Sequence, residues 1–133
     1  MNDPVLLGAP NVVRGRSQSG NVSATALVAE GLCDALVSDY YYPAMARAAW
    51  RLVDQEFRDL PSAWAMISAT PAVILGLADP GRLDHGLRAD GVAVNSETRA
   101  IEMTICGGVL THLSHGAARR FAGASAAMDM AAE

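Results

Sequence analysis

Two short apolar runs, Val5-Leu-Leu-Gly-Ala9 and Leu32-Cys-Asp-Ala-Leu-Val-Ser38, flank a polar stretch and a helix-like segment, and this order constrains the fold most strongly. The first run stops at Pro10, as a buried strand opening into a loop does. Residues Asn11 to Asn21 read as that loop. From Val22 to Glu30 the pattern is helical, with Asn21 or Ser23 available as N-cap and Gly31 where a left-handed residue ends a helix. The second run closes at Asp39. A strand, loop, helix and strand in this order place the two strands parallel and adjacent. The segments after their carboxyl ends, loop 11–21 and Asp39, then open on one face of the sheet.

Beyond this unit, Pro43 fits a first helical position, and Met45, Ala49, Leu52, Val53 and Phe57 recur at spacings of three and four. Arg47, Arg51, Asp54, Gln55 and Arg58 lie mostly off that stripe. Further helical stretches run from Pro61 to Ser68 and from Thr70 to Gly76. After Asp79-Pro-Gly81 the character changes to Gly, Asp and Arg, and then Val92 to Val94, Ile101 to Ile105 and Val109 to Leu113 read as strands with Gly107-Gly108 as a tight turn. The expected division is 1–78 for the α/β part, 79–115 for a small β appendage and 116–133 for an Ala-rich tail, a frayed helix or disordered.

Composition narrows the partners. The 133 residues are 51% hydrophobic, enough for one ordinary core. A formal charge of −4 argues against a general nucleic-acid partner, whose backbone is neutralised by a basic surface. Every basic residue is Arg, which excludes a Lys nucleophile or a P-loop lysine. Cys33 and Cys106 form no CxxC, so no disulfide framework is suggested, and a reducing cytoplasm is the simplest location. No apolar run approaches the roughly 20 residues that span a bilayer, so no membrane partner is expected.

The candidate chemistry sits after the strands. Asn11, Arg14, Gly15, Ser17, Gln18, Ser19, Gly20 and Asn21 combine guanidinium, hydroxyl and amide donors with backbone N–H groups ahead of a helix, where an anion such as phosphate is favoured. The alternative is a Gly/Ser turn whose arginines are solvated. Asp39, at a strand end before Tyr40-Tyr-Tyr-Pro43, is placed to bind a divalent metal or take a proton from metal-bound water. Its alternative role is as N-cap of the helix near Pro43. His112 and His115 read as a surface pair, Trp50 and Trp64 as packing residues, and Asp84, Arg88 and Asp90 as turn-fixing groups.

These residues also carry a resemblance. Gly8-Ala-Pro-Asn-Val-Val-Arg-Gly15, Ser19-Gly-Asn-Val22, Gly31-Leu32 and Ser38-Asp-Tyr40 resemble the metal-dependent diphosphatases of the carbon-phosphorus lyase pathway, within the amidohydrolase superfamily. Thr70-Pro-Ala72, Leu75-Gly-Leu77, Asp79, Gly81-Arg-Leu83 and Gly86-Leu-Arg-Ala-Asp90 resemble the ending shared by many amidohydrolases. The likeness covers roughly residues 5–113. It implies the last two strand-helix units of a TIM-type (β/α)8 barrel with a terminal β element. It also implies hydrolysis of a phosphorylated ribose phosphonate with release of diphosphate, a divalent metal such as zinc, and Asp39 as metal ligand and catalytic residue.

Two departures from that pattern stand out. The family's HxH ligands have no counterpart here, so an N-terminal barrel segment is the expected partner for activity. Gln18 stands where the family has His, and an amide is no proton shuttle at neutral pH. The other readings are a non-catalytic remnant that binds phosphorylated ligands or self-associates through open strand edges, and an amidohydrolase of a cyclic amide.

Overall fold

Backbone pairing of the two apolar runs builds a parallel sheet of two strands in the computed structural model, which describes residues 3–15, 22–79 and 81–131. Strands β1 (Leu6–Gly8) and β2 (Ala35–Val37) set Leu6 opposite Ala35, Leu7 opposite Leu36 and Gly8 opposite Val37. Their carboxyl ends are therefore level. At the amino ends, the Asp34 carboxylate accepts from the Val5 N–H at 2.8 Å while the Asp34 N–H donates to the Val5 carbonyl at 2.9 Å. On the outer side of β2 the Leu36 N–H donates to the Met66 carbonyl at 2.9 Å. No described strand pairs with the outer edge of β1. The fold is mixed α/β, and the strand pair is open rather than closed into a barrel.

The chain divides into two units, Met1–Gly81 and Arg82–Glu133. In the first, helices α1 (Ala9–Arg14), α2 (Ala24–Ala29), α3 (Ala44–Asp54) and α4 (Leu60–Ala65) share one apolar cluster with Leu36 of β2, while α1 packs on β1 and α5 (Ala69–Ile74) on β2. Ala9, Val12, Val28, Leu36, Ala48, Ala49, Leu52 and Ala63 are at most 1% exposed and form one apolar cluster. The many alanines let helix backbones approach closely, and the larger side chains supply most of the burial, about 1.5–3 kcal/mol each for Leu or Val. Trp50 and Trp64 meet edge to face, with ring centroids 6.2 Å apart.

Element ends differ from the sequence expectation in ways that have causes. The expected strand 5–9 and the first part of the expected loop, 11–14, give way to a three-residue strand and helix α1, because Pro10 lies in the first helical turn, where its missing N–H costs nothing. The expected helix 22–30 is the six-residue α2, capped by the Ser23 hydroxyl, which accepts from the Ala26 N–H at 3.2 Å. Gly31, at φ 75°, ends it as expected, with the Leu32 N–H donating back to the Leu27 carbonyl at 2.9 Å. The strand expected over 32–38 pairs only from Ala35 to Val37.

Helix α3 begins one residue after Pro43 and stops at Asp54, short of Phe57, the last residue of the expected apolar stripe. Glu56 takes the left-handed conformation, φ 57°, and the Phe57 N–H closes the turn on the Leu52 carbonyl at 3.0 Å. Helix α4 starts earlier than Pro61, because Asp59 caps it and accepts from the Ser62 N–H at 3.0 Å. Helix α5 occupies Ala69–Ile74, beginning one residue before the expected 70–76 stretch, and Gly76 at φ 65° follows its end.

The second unit is a three-stranded antiparallel sheet in sequential order, β3 (Gly91–Val94), β4 (Ile101–Cys106) and β5 (Val109–Leu113), followed by α6 (His115–Ala131). The strands match their expected positions to within a residue. Cys106 pairs with Val109 across Gly107 and Gly108, whose φ values of 58° and 79° are those of the two-residue turn that suits the twist of a hairpin. The Asp90 carboxylate accepts from the Gly107 N–H at 2.6 Å and from Arg88 Nε at 3.1 Å, so the expected turn-fixing role of Arg88 and Asp90 is realised. Residues 116–131 of the Ala-rich tail are helical, and Glu102 of β4 holds Arg120 of that helix. No helix among the described residues is long and apolar enough to cross a membrane.

Candidate functional site

The level carboxyl ends of β1 and β2 bring Gly8 and the segment after Val37 to the same side of the strand pair. Asp39 adopts φ 52°, a left-handed conformation that Asp tolerates better than most residues but that still stores strain. The conformation is held by a tight turn in which the Tyr41 N–H donates to the Ser38 carbonyl at 2.9 Å. It delivers the carboxylate directly over Gly8. A Cβ on Gly8 would collide with Asp39 Oδ2 and would lie 3.3 Å from Asn11 Nδ2. Glycine at position 8 is therefore what allows carboxylate and carboxamide to converge there. Pro43 occupies the N-cap position of α3, so the alternative capping role for Asp39 is not the one the fold uses.

Tyr40, next in sequence, is exposed and accepts a hydrogen bond from Arg14 Nη2 at 3.1 Å. This contact ties the carboxyl end of α1 to the Asp39 turn. Gly15, φ 71°, ends α1 in the left-handed region, with its N–H donating to the Asn11 and Val12 carbonyls at 3.1 Å. The missing side chain at Gly15 is filled by the guanidinium of Arg51 from α3, which a Cβ would strike. Asn11, Arg14, Gly15 and Asp39 thus gather around α1. Ser17, Gln18, Ser19, Gly20 and Asn21 lie outside the described residues.

Among the described residues no group of three or more His, Cys, Asp or Glu side chains is placed to hold a metal ion. Asp39 with the Asn11 amide supplies one anionic ligand, fewer than a zinc or similar site requires. The described residues by themselves therefore do not fit a resident metal. His112 and His115 are exposed, on β5 and at the start of α6. Both cysteines are free. Burial pushes the Cys33 thiol above its ordinary value, against a smaller opposing effect of backbone hydrogen bonding at Leu7, which makes it a packing residue rather than a nucleophile.

Sequence reasoning missed Gly8, Tyr40 and Arg51 at this end of the molecule. Helical spacing put Arg51 off the apolar stripe, whereas in the structure it lies three residues after buried Ala48 and seven after buried Ala44. Gly8 read as part of a strand, and nothing local shows that a side chain distant in sequence fills its space.

No protein-family model matches the chain. Over 101 residues, 74% of its length, the chain is 43% identical to the alpha-D-ribose 1-methylphosphonate 5-triphosphate diphosphatase of Escherichia coli strain K12. It is thus a relative of that diphosphatase, spanning 27% of the latter's length.

Proposed function

We propose that this chain contributes one wall of the active site of a hydrolase of phosphonate metabolism, which removes diphosphate from a ribose phosphonate triphosphate. The observation that carries the reading is the convergence of Asp39 and Asn11 over Gly8 at the level carboxyl ends of two parallel strands, with Arg14 and Tyr40 beside them. That is where strand-helix folds collect functional groups. The name and 43% identity of the relative supply the substrate class. In this reading β1–α2 and β2–α3 are two successive units of an amidohydrolase-type (β/α)8 barrel. Arg14 and the donors of the following loop orient the phosphate chain. Asp39 is the carboxylate that binds metal or accepts a proton from attacking water, with the remaining metal ligands supplied by a further barrel segment.

The test is direct. The purified chain, incubated with zinc or manganese and a ribose 5-triphosphate, is expected to release diphosphate only when a segment carrying the missing ligands is added. Asp39→Asn is expected to abolish that release. Release by this chain alone would overturn the division of ligands, and unchanged release by Asp39→Asn would overturn the role of Asp39.

A second reading is favoured by the outer edge of β1, which no described strand pairs, and by the 44% and 43% exposure of Val5, just before that strand, and Leu6. Two-stranded parallel sheets are normally buried, and an open apolar edge pairs readily with another strand. On this reading the chain self-associates without catalysing anything. Light scattering after size exclusion separates the two, since a stable monomer contradicts it.

A further inference from the structure

The guanidinium of Arg51 is the least explained charge in the first unit. It rises from α3 beside the buried stripe, is half-buried, and lies against the left-handed Gly15, from whose Cβ position its Cζ and Nε would be 3.2 and 3.6 Å away. Its Nε is shielded from solvent and meets no hydrogen-bond acceptor among the described residues. The ion pairs of Arg82 with Asp84, Arg88 with Asp90 and Arg120 with Glu102 lie in the second unit and do not involve Arg51. A shielded polar atom without a partner is unusual, and a partly desolvated charge without a counter-charge is costly. Arg14 precedes Gly15 directly, and its guanidinium is engaged by a neutral hydroxyl, that of Tyr40. Arg51 of α3 thus meets the turn that directly follows Arg14 of α1, and neither arginine is ion-paired with a carboxylate among the described residues.

We propose that Arg51 is a phosphoryl-binding residue, whose planar donor fork takes oxygens of a polyphosphate chain at the Gly15 turn alongside Arg14. The assignment rests on the reading of this end as a phosphate site and adds to it a residue that sequence spacing places on a helix flank. An anion there offsets both guanidinium charges through the terminal nitrogens of the fork. The fork geometry favours phosphate oxygens over monatomic anions. Gly15 is then required for two reasons, its left-handed backbone and the space it leaves for the guanidinium.

Calorimetric titration of the full chain with inorganic tripolyphosphate tests the assignment, with chloride at the same ionic strength as control. Arg51→Met is expected to weaken binding about tenfold or more, the loss of a charge-assisted hydrogen-bonded contact, and Arg51→Lys to recover part of it. Wild-type binding with Arg51→Met folded and within twofold of it would overturn the role of Arg51 alone. Absence of wild-type binding would overturn the phosphate reading itself. In case Arg51→Met does not fold, phenylglyoxal labelling of the wild-type chain followed by peptide mass spectrometry provides a second readout. Tripolyphosphate is expected to protect Arg51, and equal labelling with and without it would overturn the proposal.

Discussion

The two units are held together by different physics. Met1–Gly81 buries a cluster drawn from β2 and four helices, whereas in Arg82–Glu133 Ala117 is the one described residue buried to the same degree. The second unit relies on an antiparallel ladder, a glycine turn and polar ties from Asp90 and Glu102. Its contacts are mostly local in sequence, and those of the first unit are not. A site that needs groups from β1, α1, the turn after β2 and α3 can be assembled only by the first kind of construction, because nonlocal packing is what brings Gly8, Asp39 and Arg51 to one helix.

The sharpest way to break this contrast is a cavity in the first core. Leu52 is fully buried between helices, and Leu52→Ala is expected to remove about 2–5 kcal/mol from that unit. Amide exchange followed by NMR checks it. Amides of β1, β2 and α3 should lose protection while those of β3 to β5 keep theirs, and equal loss in both would show that the units share one cooperative transition.

The hairpin of the second unit gives the reciprocal test. Gly107 and Gly108 both lie in the left-handed region, where a Cβ costs about 1–2 kcal/mol per residue. The double change to Ala is expected to melt β4–β5 at lower denaturant while leaving protection in α3 unaltered. The same exchange measurement decides it.

The contrast also explains what the sequence made legible. Strands β3 to β5 were located because the turn chemistry is local, Gly-Gly between two apolar runs. Ser23 and Gly31 bracketed α2 for the same reason. The end of α3 was not legible, because Glu56 adopts a conformation that sequence associates with Gly, and tertiary closure of the turn overrides that preference. Pro10 was misread because Pro both ends strands and begins helices, and the choice is made by tertiary packing, here the burial of Ala9 and Val12 in the core. At the site, Asp39, Asn11, Arg14 and Gly15 stood out by residue type. Gly8 and Arg51 did not, since their significance lies in contacts over 31 and 36 positions of chain, Gly8 to Asp39 and Gly15 to Arg51.

The smallest expected effect separates the units by acidity. In the second unit Arg120 first, and then Asn95, hold the Glu102 carboxyl below its ordinary value by donating to its charged form. In the first unit the Ser62 hydroxyl and N–H do the same for Asp59 at the start of α4. A carboxyl whose folded value is depressed contributes stability that is fully present above its unfolded value, about 4 for Asp or Glu, and is lost as pH falls through the folded value. Acidification from about pH 6 toward pH 3 should therefore loosen both elements, with different reach. Losing the Asp59 cap frays only the first turn of α4, because the apolar cluster beneath it does not titrate. Losing the Glu102 tie releases α6 from β4, which has little buried surface to retain it. Glu102→Gln should make α6 exchange at neutral pH resemble the wild type in acid. Because Arg120 is exposed, added salt should shrink the difference between the two proteins. An α6 that keeps its protection in the Gln variant would mean that this helix is held by packing, and the contrast between the units would be weaker than their burial suggests.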